Sequence, residues 1–388
     1  MKPKISFSEE QKDWIKRPLL SNIEKILDYR GRTPKKLGLS WSDTGFLALS
    51  ALNVKNGYID FNADANYGDQ ELYDRWMGDN HLHKGQVVFT TEAPMGNVAQ
   101  IPNDDLYILS QRTIAFEVKH HLIREDFLAT LLRSPKIFNE LTSLSSGGTA
   151  KGVSQKSLSN LKVCVAASLD EQQAIGSLFR TLDDLLASYK ENLTNYQSLK
   201  ATMLSEMFPK AGQTVPEIRL DGFEGEWERN SLSDVCNINS GRDYKHLKDG
   251  DIPVYGTGGY MLSVNEKLSD EDAIGIGRKG TIDKPYLLLA PFWTVDTLFY
   301  VTCKVGYDLN YLFLIFQKVR WKKFDESTGV PSLSKKTIEK VVSKFPSLPE
   351  QQAIGAYFSN LESLISANQE KISQLETLKK KLLQDMFV

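Results

Sequence analysis

Cysteine is scarce: Cys164, Cys236 and Cys303 are the whole complement. Three isolated thiols offer neither the CxxC spacing of a zinc site nor the even count of a disulfide framework, so they read as small buried hydrophobes. Histidine is nearly as rare, at five residues. His81 and His83 stand close together, but no third ligand follows at a helpful spacing, and a polar loop is the better reading. Long hydrophobic runs are missing too. The longest, Tyr311 to Phe316, is far short of the ~18 residues that span a bilayer, and Met1-Lys2-Pro3-Lys4 opens no secretory signal. The chain reads as cytoplasmic, with no membrane partner. Nor is there a bulk charge of one sign: 47 Lys and Arg against 49 Asp and Glu leave −2. That excludes charge-dominated coating of a polyanion but permits local basic patches.

What is present is a duplication. Ser168-Leu169-Asp170-Glu171-Gln172-Gln173-Ala174-Ile175-Gly176 returns as Ser347-Leu348-Pro349-Glu350-Gln351-Gln352-Ala353-Ile354-Gly355, 179 residues later, and the register holds through Met207-Phe208 and Met386-Phe387. Both copies carry core-compatible residues at alternating spacings of three and four, the mark of a long amphipathic helix with a coiled-coil seam. The first seam reads Phe179, Leu182, Leu186, Tyr189, Leu193, Tyr196, Lys200, Met203, Met207; the second reads Phe358, Leu361, Ile365, Asn368, Ile372, Leu375, Lys379, Leu382, Met386. At ~1.5 Å per residue each helix is ~58 Å long. The two copies are each other's natural burial partner, as an antiparallel pair in which polar Tyr189 and Asn368 hold equivalent seam positions. Leu185, Leu199, Leu204, Leu364, Leu378 and Leu383 widen the stripe beyond a two-helix seam, which calls for a helix from another subunit.

The expected organisation is a first module at 1–167, a central helix at 168–209, a linker at 210–226, a second module at 227–346 and a C-terminal helix at 347–388. The modules are related: Trp14 and Leu19 match Trp227 and Leu232, and Gly96, Thr113 and Phe127 match Gly280, Thr297 and Tyr311. Short β-prone runs such as Gln86–Thr91, Thr113–Phe116 and Thr297–Val301, with Gly, Asn and Pro turns between them, predict an α+β fold with mixed or antiparallel sheet. Helices are expected near Arg124–Leu132 and Asp308–Val319, with Asp126 and Asn310 as caps. The fold class is therefore two tandem, pseudo-symmetric recognition-sized domains of α/β content separated by two long antiparallel helices.

Enzymatic motifs fare poorly. Gly275-Ile276-Gly277-Arg278-Lys279-Gly280 is a literal GxGxxG, but Thr281–Pro285 follows as strand and turn where a dinucleotide loop must open a helix. Asp105 with Glu117 and Lys119 imitates the spacing of metal-dependent nucleases, yet the second module lacks the glutamate. An autonomous nuclease or methylase would need such a set to converge. Basic residues mixed with turn formers recur in both halves instead. Arg30, Arg32, Thr33, Lys35 and Lys36 stand after Trp14, and Arg242, Tyr244 and Lys245 after Trp227. To these add Asn97, Arg112, Tyr255, Thr257, Arg278 and Lys279, with the polar loops bearing Gly148, Thr149 and Lys151 and bearing Ser327 and Thr328. Such groups offer guanidinium forks, ammonium groups and close backbone approach to DNA phosphates and base edges. Lys318, Arg320, Lys322 and Lys323 around Trp321 form the densest basic cluster, which a solvated helix end explains equally well.

Taken together, the paired SL(D/P)EQQAIG helix starts, the Leu204-Ser205-Glu206-Met207-Phe208-Pro209 exit, Val215-Pro216-Glu217-Ile218-Arg219-Leu220 before Trp227, and Ile252-Pro253-Val254-Tyr255-Gly256 resemble the specificity subunit of a Type I restriction–modification system over essentially the whole chain. The resemblance implies two target recognition domains that each read half of a bipartite double-stranded DNA sequence, about one turn (~10 bp) apart. It implies helices that act as spacer and dock two methyltransferase (modification) subunits, and restriction/translocase subunits that join through the complex. Neither an NPPY-like methylation motif nor a P-loop is present. The resemblance therefore implies no catalytic residue, metal or cofactor on this chain, with S-adenosylmethionine, ATP and Mg2+ used by the complex.

Overall fold

In the computed structural model, Lys4, residues 13–145 and residues 152–387 are described. The chain divides into two units, Met1–Lys190 with Glu370–Val388, and Glu191–Gln369, so the division falls inside both long repeats.

In unit 1 the chain runs β1 (Ile15–Pro18), β2 (Ile23–Asp28), β3 (Phe46–Leu49), β4 (Tyr67–Gly68), α1 (Gln70–Met77), β5 (Val87–Thr90) and β6 (Val98–Gln100). It continues through β7 (Ile108–Leu109), β8 (Thr113–Val118), α2 (Glu125–Leu132), α3 (Pro135–Leu144), α4 (Gln155–Asn160) and β9 (Lys162–Val165) into α5 (Leu169–Glu206). The central sheet, in the order β2-β8-β5-β6, is antiparallel. Its alternation divides two cores, as a side-chain period of two requires. Val87, Phe89, Ile114 and Phe116 face α2 and α5, while Val88, Ala99 and Ala115 face the cluster of Trp76, Tyr73 and Ile108 built on α1 and the β4-β3-β7 sheet. β1 and β9 pair antiparallel, so the entry and exit of the module lie side by side.

Unit 2 repeats the plan. After β10 (Glu228–Ser231), α6 (Leu232–Val235) and β11 (Cys236–Ser240) come β12 (Asp249–Gly256), β13 (Gly259–Val264), β14 (Ala273–Gly277), β15 (Tyr286–Leu288), β16 (Trp293–Thr294) and β17 (Leu298–Cys303). Then follow α7 (Leu309–Lys318), α8 (Lys335–Glu339), β18 (Val342–Phe345) and α9 (Leu348–Met386). The order β11-β17-β14-β15 matches that of unit 1, and β10–β18 closes the module as β1–β9 does. Cys236 stands opposite Cys303 across β11 and β17, and burial pushes both thiols up to about 12, so neither is a ready nucleophile.

The expected cap of each module helix is displaced by two residues. α7 is capped by Asp308, whose carboxylate accepts from Tyr311 N at 2.9 Å, while Asn310 lies inside the helix. α2 has Arg124 at its N-cap with no side-chain bond, and Asp126 is the second residue of the helix, within its first turn. The reason is tertiary: Asp126 is drawn to Gln100 at 2.7 Å and to Arg180 of α5.

Both long repeats are single helices, and within each unit two of their segments run antiparallel. In unit 1, Asp183 pairs with Lys379 and Lys190 with Glu376 at 2.7 Å. In unit 2, Lys200 pairs with Glu362, and the Phe208 ring lies 6.4 Å from Phe358. The seam buries Phe179, Leu182, Leu186, Leu375 and Met386 in one unit and Met207, Phe358, Leu361 and Ile365 in the other. Asn368 is buried at its seam position, and its amide donates to Leu364 O of its own helix at 2.7 Å.

Candidate nucleic-acid interface and helix junctions

The repeated SL(D/P)EQQAIG segment is polar, yet its middle is buried. Gln172 accepts from Arg124 N at 2.9 Å and donates to Leu122 O and Ala166 O at 3.1 and 2.8 Å. Gln351 does the same in unit 2, accepting from Asp308 N at 3.1 Å and donating to Pro346 O at 2.9 Å. Each glutamine thus satisfies backbone groups at the start of a module helix and just before a long helix, and so joins the two. The closing glycine serves the same junction. A Cβ on Gly176 would lie 2.4 Å from Asp126 Cβ, and one on Gly355 would lie 2.7 Å from Asp308 Oδ1 and 3.2 Å from Tyr311 N.

The glutamates differ between the units. Glu171 accepts from Trp14 Nε1 at 3.4 Å. Glu350 is held by Arg219 of the linker, which donates from Nε and Nη2 at 2.8 and 2.7 Å. Trp227, the counterpart of Trp14, is left with an Nε1 that has no partner among the described residues. The helix exits are equivalent: Phe387 packs on Trp14, Phe127 and Phe179, and Phe208 on Trp227, Tyr311 and Phe358.

In module one most of the candidate DNA-facing groups are engaged within the protein. Arg30 forms a fork on Asp28 and donates to Val153 O at 3.3 Å. Burial of Asp28 would raise its pKa, but hydrogen bonds from Arg30 and Gln155 outweigh it and hold the carboxyl below the ordinary range. Arg32 donates to Trp76 O and lies 4.5 Å from the Tyr29 ring centroid. Thr33 caps a 3-10 turn at Pro34–Leu37, Lys36 donates to Gly31 O at 2.7 Å, and Lys35 is exposed. Asn97 donates to Val54 O at 3.0 Å, and Arg112, at φ 65°, stands 3.5 Å from Glu92. Glu92 bridges to Gly152, so Arg30 and Arg112 both lie beside the end of the polar loop. Gly148, Thr149 and Lys151 fall outside the described residues.

Module two is more open. Arg278, Lys279, Ser327 and Thr328, remote in sequence, line one cleft of about 770 Å³ with Ser240, Phe299, Glu326, Ser334 and Lys335. β14 ends at Gly277 and the chain turns, with no helix N-terminus for a dinucleotide. A Cβ on Gly277 would lie 2.0 Å from Thr281 O, so that position of the GxGxxG serves the turn. The loop beyond is tied by Asp325, which accepts from Ser332 N, Ser327 N and Ser327 Oγ at 2.9, 3.0 and 2.8 Å. Those bonds hold its carboxyl below the ordinary range. Thr257 Oγ1 sits beside Gly280, 3.7 Å from where a Cβ would be. Arg242 and Lys245 are exposed, Tyr244 packs on a small cluster with Trp293, and Tyr255 packs between Tyr260 and Tyr286. Lys318 is structural: it donates to Leu204 O and lies 4.7 Å from the Phe208 ring centroid. Lys322 pairs with Asp283 at 2.8 Å.

The profile of the Type I restriction modification DNA specificity domain matches residues 30–195 and again 224–377. The chain belongs to this family. A specificity-family relative, the Type I restriction enzyme MjaVIII specificity subunit of Methanocaldococcus jannaschii, is 21% identical over 316 residues, covering 71% of this chain and 72% of that protein. The fold is that of the Type I restriction–modification S subunit from M. genitalium, with a TM-score of 0.72, 17% identity and coverage of 100% of this chain and 99% of that one. An HsdS subunit from Thermoanaerobacter tengcongensis aligns at 18% identity and a TM-score of 0.44 over 97% of this chain and 96% of the other. For a specificity-family chain, the rival nuclease set is not assembled. Asp105 is bonded to Asn103, Glu117 pairs in register with Lys25, and among the described residues no group of three or more His, Cys, Asp or Glu comes together. His81 bonds Tyr73 and His83 bonds Glu125. Among the described residues no helix is long and apolar enough to cross a membrane.

Of the leucines expected on a partner face, Leu185, Leu199, Leu364 and Leu378 are exposed at 41, 37, 43 and 45%. Leu204 and Leu383 are not free in the same way: each packs against the core of its own unit, because the helix ends there are seated on the modules. Sequence reasoning missed Phe299 and Glu326 in the cleft, and the buried roles of Gln172, Gln351 and Arg219. Only the repeat itself hinted at the glutamines.

Proposed function

We propose that this chain is the DNA-reading subunit of a Type I restriction–modification complex. Each module reads one half of a bipartite double-stranded target, and the long helices act as the spacer that sets the gap between the halves. Two methyltransferase subunits dock on the helices through exposed leucines, Leu185 and Leu378 in the one unit and Leu199 and Leu364 in the other, and restriction/translocase subunits join through the complex in the cytoplasm. Chemistry belongs to those partners, which use S-adenosylmethionine, ATP and Mg2+. The observation that carries this reading is the double match to the DNA specificity domain within one duplicated chain. Two copies of one recognition unit in a single polypeptide suit two half-sites.

The test is methylome sequencing of a host that expresses the methyltransferase subunit with and without this chain. A bipartite methylated motif that depends on the chain, and changes in one half when one module is exchanged, is the expected result. Methylation that does not depend on the chain would sink the proposal. Inserting four residues, about one helical turn, into α5 is expected to change the spacing of the target while leaving both half-sites unaltered.

A further inference from the structure

We infer that Arg278 is a base-reading residue, and that the half-site read by module two contains a guanine contacted by its guanidinium. This rests on the DNA-reading function proposed above. The first observation is rigidity. Arg278 N donates to Thr297 O at 2.8 Å and its carbonyl accepts from Leu333 N at 2.9 Å, so the backbone is clamped between β17 and the loop that precedes α8. Its neighbours are held as firmly: Gly280 N donates to Pro331 O at 2.8 Å, and Lys279 bridges to Ser332. The loop is closed in turn by the Asp325 bonds. The guanidinium carbon lies 5.8 Å from the Phe299 ring centroid, which orients the fork by cation–π attraction. Arg278 lines the cleft, and among the described residues its side chain makes one hydrogen bond to protein, from Nη1 to Asp296 O at 3.5 Å, which leaves most of its five N–H donors unpaired by protein.

The second observation is the chemistry around it. A trough for phosphate would be uniformly positive. This cleft instead sets Glu326 among the cations, its carboxylate fixed by Ser334 Oγ at 3.0 Å and by Thr337. A phosphate seated there would meet that negative charge, whereas base edges present donors and acceptors together. An arginine fork reads guanine O6 and N7, the commonest specific contact of the major groove. The third observation is contrast. The candidate arginines of module one already face carboxylates, Arg30 in a fork with Asp28 and Arg112 at 3.5 Å from Glu92, while exposed Lys279 beside Arg278 has the character of a phosphate contact.

The experiment uses the complex assembled from this chain and its methyltransferase subunits, as wild type, Arg278→Ala and Arg278→Lys. Lysine keeps the charge over Phe299 but lacks the fork, so it guards against a simple loss of assembly. Methylomes are expected to show a G·C pair in one half of the wild-type motif that becomes degenerate in both variants, with the other half intact. In binding competition between duplexes that differ at that pair, wild type should discriminate roughly ten- to hundredfold, and the variants should lose that preference. If the variants keep the full motif and the salt dependence of binding falls by about one counterion, Arg278 holds a phosphate and the inference is wrong. A wild-type motif with no G·C pair in either half also overturns it. If wild type yields no motif at all, the DNA-reading function fails first and takes this inference with it.

Discussion

Replacing Arg219 by alanine should destabilise unit 2 by about 3 kcal/mol. The side chain lies on the linker, and its guanidinium makes four bonds: two to Glu350, one to Gly225 O at 2.7 Å and one to Glu224 O at 2.9 Å. Glu350 is 1% exposed, so removing Arg219 strands a buried carboxylate, a change that costs about 3–5 kcal/mol. The lower end applies because Arg219 is itself 18% exposed, and water that enters its place will recover part of the loss. For a unit of this size each kcal/mol lowers Tm by about 2–4 °C, so a fall of about 6–12 °C is expected. Two units can melt separately, so the shift should be followed by hydrogen-exchange mass spectrometry of residues 216–231 and 348–355 along a thermal series. Adding Glu350→Gln to Arg219→Ala removes the stranded charge and should restore about half of the loss. A single variant that melts within ~1 °C of wild type, or a double variant no better than the single, would refute the argument that Arg219 matters by neutralising a buried group.

Other consequences are as specific. Gly355→Ala drives a methyl group into Asp308 and the backbone of Tyr311, and should cost about 1–3 kcal/mol in unit 2, with Gly176→Ala doing the same in unit 1 through Asp126; paired denaturation curves would show it. The Asp325 carboxyl titrates below its unfolded value, so its contribution to the loop at 325–332 is present above pH ~4 and is lost as pH falls through the lower folded value. Faster exchange of the Ser327 and Ser332 amides below that point in wild type, beyond the intrinsic pH effect and absent in Asp325→Asn, is the expected signature. Leu185→Asp with Leu364→Asp, both on exposed helix faces, should leave the melting of the isolated chain within about 0.5 kcal/mol but abolish co-purification with the methyltransferase subunit.

Much of this molecule could be read before any coordinates, and the reasons are local. A heptad-like seam is a pattern within one helix, so α5 and α9 announce themselves, and duplicated text at one offset declares a duplicated fold. Short, largely apolar runs at β5, β8, β14 and β17 likewise mark strands covered on both faces. The caps were less legible. Asp126 has the right residue type and nearly the right place, but a partner on α5 outbid the local cap, as tertiary contacts can.

The candidate interface shows where sequence stops. Composition and recurrence determined that basic, glycine-containing loops occur in both halves; they could not say which cations remain available. Arg30 and Arg278 are both arginines in glycine-containing turns, yet one is locked onto Asp28 two residues away and the other stands in a cleft lined by residues 240, 278, 279, 299, 326–330 and 332–335. Likewise, EQQ in the middle of a repeated motif reads as a solvated helix start, and only the packing of α5 on α2 and of α9 on α7 turns its glutamines into buried joints. Sequence determined the duplication, the helices and the residue types, because those depend on near neighbours along the chain. Tertiary structure decided which polar groups spend their hydrogen bonds inside the protein and which keep them for a ligand, because packing selects the partner, whether it is near in the chain, as Asp28 is to Arg30, or remote, as Glu350 is from Arg219.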